Sequence, residues 1–101
     1  MITRWENLTR DEIAALDKDN TIVMLPTSAT EQHSAHLPVG TDAIILSTLI
    51  DKIIAKGTFE KGNLMFAPQL LVGKSNCHMG FAGTLTFSAM TYYSMLHDLA
   101  K

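Results

Sequence analysis

Leu25-Pro-Thr-Ser-Ala-Thr-Glu31-Gln-His33-Ser-Ala-His36-Leu-Pro-Val-Gly40-Thr-Asp42 is the stretch on which the fold turns, because it joins one candidate strand to one candidate helix. Upstream, Thr21-Ile-Val-Met-Leu25 is a brief, partly β-branched apolar run closed by Pro26, the pattern of a buried strand in a parallel sheet. Downstream, from about Asp42 to Lys56, Ile45, Leu46, Leu49, Ile50, Ile53 and Ile54 recur at spacings of three and four and predict one broad apolar helix face. Lys56-Gly57 supplies a stop, with a cation at the carbonyl end and a residue free to turn left-handed. Leu64-Met-Phe-Ala67 before Pro68 reads as a second short strand. Strand, long helix and strand make a βαβ unit, so the fold class is α/β with a mostly parallel sheet.

Outward from that unit the signals are local. Thr9-Arg-Asp-Glu12 has the form of a capping box opening a short helix with Ile13 and Leu16 on its apolar side. The segment from Pro68 to Ala82 is irregular, Thr84-Leu-Thr-Phe87 alternates like a short strand, and Ser88 caps a helix running through Met95, Leu96, Leu99 and Ala100. One βαβ unit with an extra helix is a thin stack, since parallel sheets are normally covered on both faces. The expectation is a single domain over 1–101 that continues beyond its C-terminus or covers its open side with another copy.

Composition narrows the function classes. Of 101 residues, 47% are apolar and 18% charged, with a net charge of −2. The eight basic residues never form a run, so there is no electrostatic ground for a nucleic-acid partner. No stretch approaches the roughly 20 apolar residues that span a bilayer, and Met1-Ile-Thr-Arg-Trp5-Glu lacks the core of a signal peptide. A single cysteine, Cys77, fits a reducing compartment. The default is a soluble cytoplasmic protein.

Glu31, His33, His36 and Asp42 concentrate potential metal ligands in one loop. Residues two apart in an extended segment point the same way, so Glu31 and His33 can reach one locus. Asp42, nine residues on and at a helix start, can fold back to it. The same residues also admit a plainer reading, with Asp42 capping the helix, the histidines bonded within the loop and Glu31 solvated. Elsewhere, Gly73-Lys-Ser75 lacks the upstream glycine of a phosphate loop, Cys77 has no obvious activating base, and His97-Asp98 reads as an exposed pair.

Thr30-Glu31-Gln-His33-Ser-Ala-His36-Leu-Pro38-Val-Gly-Thr-Asp42 closely resembles the E-Q-H-G-P-H-L-P-x-x-T-D signature of the creatininase (creatinine amidohydrolase) family, and Phe81-Ala-Gly83-Thr84-Leu-Thr resembles its F-P-G-T-x-S segment, with His78 just before. The resemblance implies a three-layer α/β/α metallohydrolase, usually a homo-oligomer, with a two-metal centre of zinc or manganese. In that pattern Glu31 binds one metal, His33 the other, and Asp42 bridges them, with His36 and His78 as loop-ordering or substrate-side residues. It implies hydrolysis of a C–N amide bond in a small substrate (a cyclic amide such as creatinine, a formamide or a small peptide) through a metal-activated water. The chain departs from the pattern at Ser34-Ala35, where the family has Gly-Pro, and at Ala82, where it has Pro. The family completes its metal centre with a histidine and a glutamate on a later N-G-H-type segment, which Asn76-Cys77-His78 does not match. The expectation is therefore a partial ligand set, and the competing expectation is a metal-binding module without turnover.

Overall fold

The structure, a computed structural model, describes residues 1–101. Three strands, β1 (Ile2–Arg4), β2 (Thr21–Met24) and β3 (Asn63–Phe66), form one sheet in the order β1-β3-β2, with both pairings parallel. Three α-helices accompany it: α1 (Arg10–Ala14), α2 (Thr41–Lys56) and α3 (Ala89–Leu99). This is an α/β fold, and β2-α2-β3 is the βαβ unit that the apolar periodicity predicts. By contacts the chain divides into two compact units, one of Met1–Pro26 with Leu46–Gln69, the other of Thr27–Ile45 with Leu70–Lys101.

The first unit is built around β3. Paired on both sides, Ile2 to Arg4 on one and Thr21 to Met24 on the other, it buries Met65 and Phe66. Ile50 of α2 is the third buried apolar side chain. Arg4 ties β1 to the helix: its guanidinium donates to the Ser47 carbonyl and hydroxyl, both at 3.2 Å, and to Asp51 Oδ1 at 2.9 Å. The α1 capping box forms as read, with Thr9 Oγ1 accepting from the Glu12 amide and Glu12 Oε2 from the Thr9 amide. Before β3, Gly62 sits at φ +125°, and a β-carbon there would lie 2.1 Å from the Asn20 carbonyl oxygen.

Two expectations for this unit need correction. β2 is an edge strand, and Ile22, Val23 and Met24 are 54%, 51% and 49% exposed, whereas a buried strand was expected. β2 pairs with β3 on one side alone, so its other edge and the side chains along it stay open, while the doubly paired place belongs to β3. Likewise the broad face of α2 is divided: Leu46, Ile53 and Ile54 are partly covered and Ile50 is buried, but Ile45 and Leu49 are exposed. β1, with three residues and one strongly apolar side chain, was not anticipated.

The second unit is held by hydrogen bonds from side chain to backbone. A parallel bridge joins Thr27 to Leu70, and the Leu70 carbonyl accepts from both the amide and the hydroxyl of Ser28. Residues 31–39 fold back on themselves: the Glu31 amide donates to the Val39 carbonyl at 3.1 Å, His33 and Leu37 form an antiparallel bridge, and Ser34 to His36 make the turn. Thr41 then donates its amide and hydroxyl to the Pro38 carbonyl as α2 begins. Thr84–Phe87 is not a strand. Leu85 donates to Thr30 and Phe87 to Gly73, so its backbone bonds go to two different segments and no ladder continues. Its hydroxyls do the rest, Thr84 accepting from the Gln32 amide and Thr86 from the Ser75 amide. Ser88 caps α3 as read, accepting from the Thr91 amide.

Candidate metal centre

The hairpin brings Glu31 and His33 to one side, and the first turn of α2 brings Asp42 to meet them. One potential ligand atom from each lies within 4.8 Å of the other two. All three are partly shielded, the side chains of Glu31, His33 and Asp42 being 20%, 21% and 36% exposed. Two backbone features produce the meeting. The Glu31–Val39 hydrogen bond closes the hairpin, and Asp42 sits three residues past its far strand at a helix start, where free amides favour a carboxylate.

The local chemistry of His33 gives the cluster its direction. Its Nδ1 lies 3.0 Å from the carbonyl oxygen of Glu31, an acceptor only, so Nδ1 carries a proton and donates it. Its Nε2 lies 3.0 Å from Asp42 Oδ1. In a neutral ring with Nδ1 protonated, Nε2 holds a lone pair, and it faces a carboxylate that also only accepts. A proton or a cation between them resolves that opposition. Accordingly the imidazole pKa is raised above its ordinary 6.5, chiefly by the hydrogen bond to the Glu31 carbonyl, with the charges of Asp42 and Glu31 and the Asp42 hydrogen bond adding to it while burial works against. One imidazole nitrogen and two carboxylates are donors that divalent metals accept. The residues present therefore fit a divalent metal.

His78 comes to the same place from the other loop. Its Nε2 is 3.7 Å from Glu31 Oε2, and its Nδ1 is 2.9 Å from Nε2 of the Gln32 side chain. His36, at the hairpin tip, is exposed and does not join the three. Cys77 is exposed, and His97 forms a surface pair with Asp98 at 3.8 Å. Two residues that the sequence reading passed over prove structural to the site, Gln32 and Thr84. Both stood inside quoted motifs, but an amide and a hydroxyl carry no spacing signal of their own.

A comparison with known families matches residues 6–101 to Creatininase, described as creatinine amidohydrolase. The chain belongs to this family. Among curated relatives of this creatininase-family chain, the mycofactocin precursor peptide peptidase of Mycolicibacterium smegmatis is 33% identical over 81 residues, covering 79% of the chain and 33% of that protein. The protein of the same name from Mycobacterium ulcerans is 35% identical over 86 residues, 78% of the chain and 33% of the relative. That from Mycobacterium tuberculosis is 32% identical over 84 residues, 78% and 34%. The chain spans about a third of the length of these relatives. No helix is long and apolar enough to cross a membrane.

Proposed function

We propose that this chain carries part of the metal centre of a metal-dependent amidohydrolase, with Glu31, His33 and Asp42 as ligands of zinc or manganese. The observation that carries the reading is the opposition at 3.0 Å of His33 Nε2 and Asp42 Oδ1, with Glu31 beside them. The chemistry a bound divalent metal supplies is Lewis acidity, which acidifies water and polarises an amide carbonyl. The chain's own groups prepare the place for it. The Glu31 carbonyl fixes the His33 tautomer so that its Nε2 lone pair points inward, and the helix start supports the charge of Asp42. A two-metal centre, with further ligands from outside the described residues, is part of the proposal, as are a cytoplasmic location and a homo-oligomer. The relatives are peptidases by name, so among the amides expected for the family we place a peptide C–N bond ahead of a cyclic amide or a formamide.

Calorimetric titration with zinc and with manganese tests the ligand set. Wild-type protein is expected to bind, and Asp42→Asn, which keeps the side-chain shape and removes the charge, to bind on the order of 100-fold more weakly while a cooperative thermal melt without metal shows that it stays folded. Equal affinity in the two proteins would remove Asp42 from the ligand set, and no binding by the wild type would sink the metal reading. Metal binding without hydrolysis of peptide, creatinine or formamide substrates would place the chain with metal-binding modules that do not turn over.

A further inference from the structure

We infer that His78 is a positioning residue: Gln32 fixes its tautomer so that its Nε2–H faces the Glu31 carboxylate and steadies that ligand. The inference rests on the metal site proposed above. It starts from Ser34, whose amide donates to Gln32 Oε1 at 3.0 Å. With the oxygen of the Gln32 amide so engaged, its NH2 end is the one turned to His78, and it donates to Nδ1 at 2.9 Å. An Nδ1 that accepts leaves the ring proton on Nε2. That nitrogen stands 3.7 Å from Glu31 Oε2, longer than a hydrogen bond and within reach of a small side-chain rotation.

The rest of the network holds Gln32 in place. Its own amide donates to Thr84 Oγ1 at 3.0 Å, and the adjacent Leu85 amide donates to the Thr30 carbonyl at 2.9 Å. Thr84 is buried. The loop carrying Glu31 and the loop carrying His78 are thus fastened at two points, and the relay runs from the Ser34 amide through Gln32 and His78 to Glu31.

The two histidines beside Glu31 therefore have opposite protonation patterns and opposite tasks. His33 donates from Nδ1 and keeps the Nε2 lone pair for a cation. His78 accepts at Nδ1 and offers a proton at Nε2, so neither nitrogen is free to ligate. Carboxylate ligands are commonly oriented by such donors, and losing one typically weakens metal binding 10- to 100-fold.

Two measurements on the intact protein test this. Long-range proton–nitrogen NMR of the imidazoles without metal, under alkaline conditions and assigned with His36→Ala and His97→Ala, is expected to show His78 as the Nε2–H tautomer. Gln32→Leu is expected to release it to a mixture. An Nδ1–H tautomer in the wild type, or no change in Gln32→Leu, overturns the relay. Zinc titration is expected to show about 10-fold weaker binding in His78→Phe and recovery to near wild type in His78→Gln, which restores a neutral donor. Equal zinc affinity in wild type and His78→Phe, with both folded by thermal melt, also overturns it. Failure of the wild type to bind zinc overturns the metal reading and the purpose given to His78 with it. A wrong tautomer in a protein that binds zinc overturns this inference alone.

Discussion

In the unit of Met1–Pro26 with Leu46–Gln69, the buried side chains are apolar: Ile50, Met65 and Phe66. In the unit of Thr27–Ile45 with Leu70–Lys101, the buried residues with functional groups are Ser75 and Thr84, and the segments are joined by hydroxyls and amides. The contrast is between order made by area and order made by direction. Apolar burial is non-directional and tolerates side chains of roughly the right size, so it builds a scaffold without aiming anything. Hydrogen bonds contribute only about 1 kcal/mol each, but they specify an angle and a proton position. A centre that needs three ligand atoms within 4.8 Å requires the second kind.

If that contrast holds, steric insult should dominate in the sheet unit. Gly62→Ala is the sharpest case, because the added carbon meets the Asn20 backbone and the glycine's φ of +125° is foreign to alanine. A loss of about 3 kcal/mol or more in urea denaturation is expected. A loss under about 1 kcal/mol would mean that the turn at Lys18–Asn20 yields, and that the unit is held less firmly than its backbone geometry indicates.

Protons should dominate in the hairpin unit. A metal at His33 needs the Nε2 lone pair, so below the raised pKa protons compete and apparent affinity should fall about tenfold per pH unit. The fold without metal responds with the opposite sign. Because the folded pKa of His33 lies above its ordinary 6.5, the stability it contributes is fully present below 6.5 and is lost as pH rises through the folded value. Titrations of metal affinity and of melting temperature over that window should therefore slope in opposite directions. Parallel slopes would place the titrating group elsewhere.

The same contrast explains what could be read from residues alone. Thr21–Met24 and Asn63–Phe66 were legible as short apolar runs, Thr41–Lys56 because its apolar residues recur at spacings of three and four, and the Thr9 and Ser88 caps because capping is local. The edge position of β2 was not, since strand order depends on Ile2–Arg4, too short to show a period. In the site, Glu31, His33 and Asp42 lie within twelve residues and their convergence follows from spacing and the family motif. The contact between Gln32 and His78 spans 46 residues, and Thr84 reaches Gln32 across 52. Neither leaves a periodic trace, so the meeting of the three side chains could be anticipated and the hydrogen-bond network around them could not.

The smallest expected effect probes a cost carried by the hairpin itself. Ser34 has φ +62°, left-handed and the one positive value outside glycine, and the family motif has glycine at this place. For an L residue that conformation costs roughly 1–2 kcal/mol, offset in part by glycine's greater freedom in the unfolded chain. Ser34→Gly should therefore stabilise the protein by about 0.5–1 kcal/mol, a few degrees in melting temperature. The amide that donates to Gln32 survives the exchange, so zinc affinity should stay within about twofold while stability rises. A gain in stability accompanied by a large fall in affinity would mean that the serine β-carbon, and not only its backbone, holds the turn in register. Direction in the hairpin would then depend on a strained residue that glycine cannot replace.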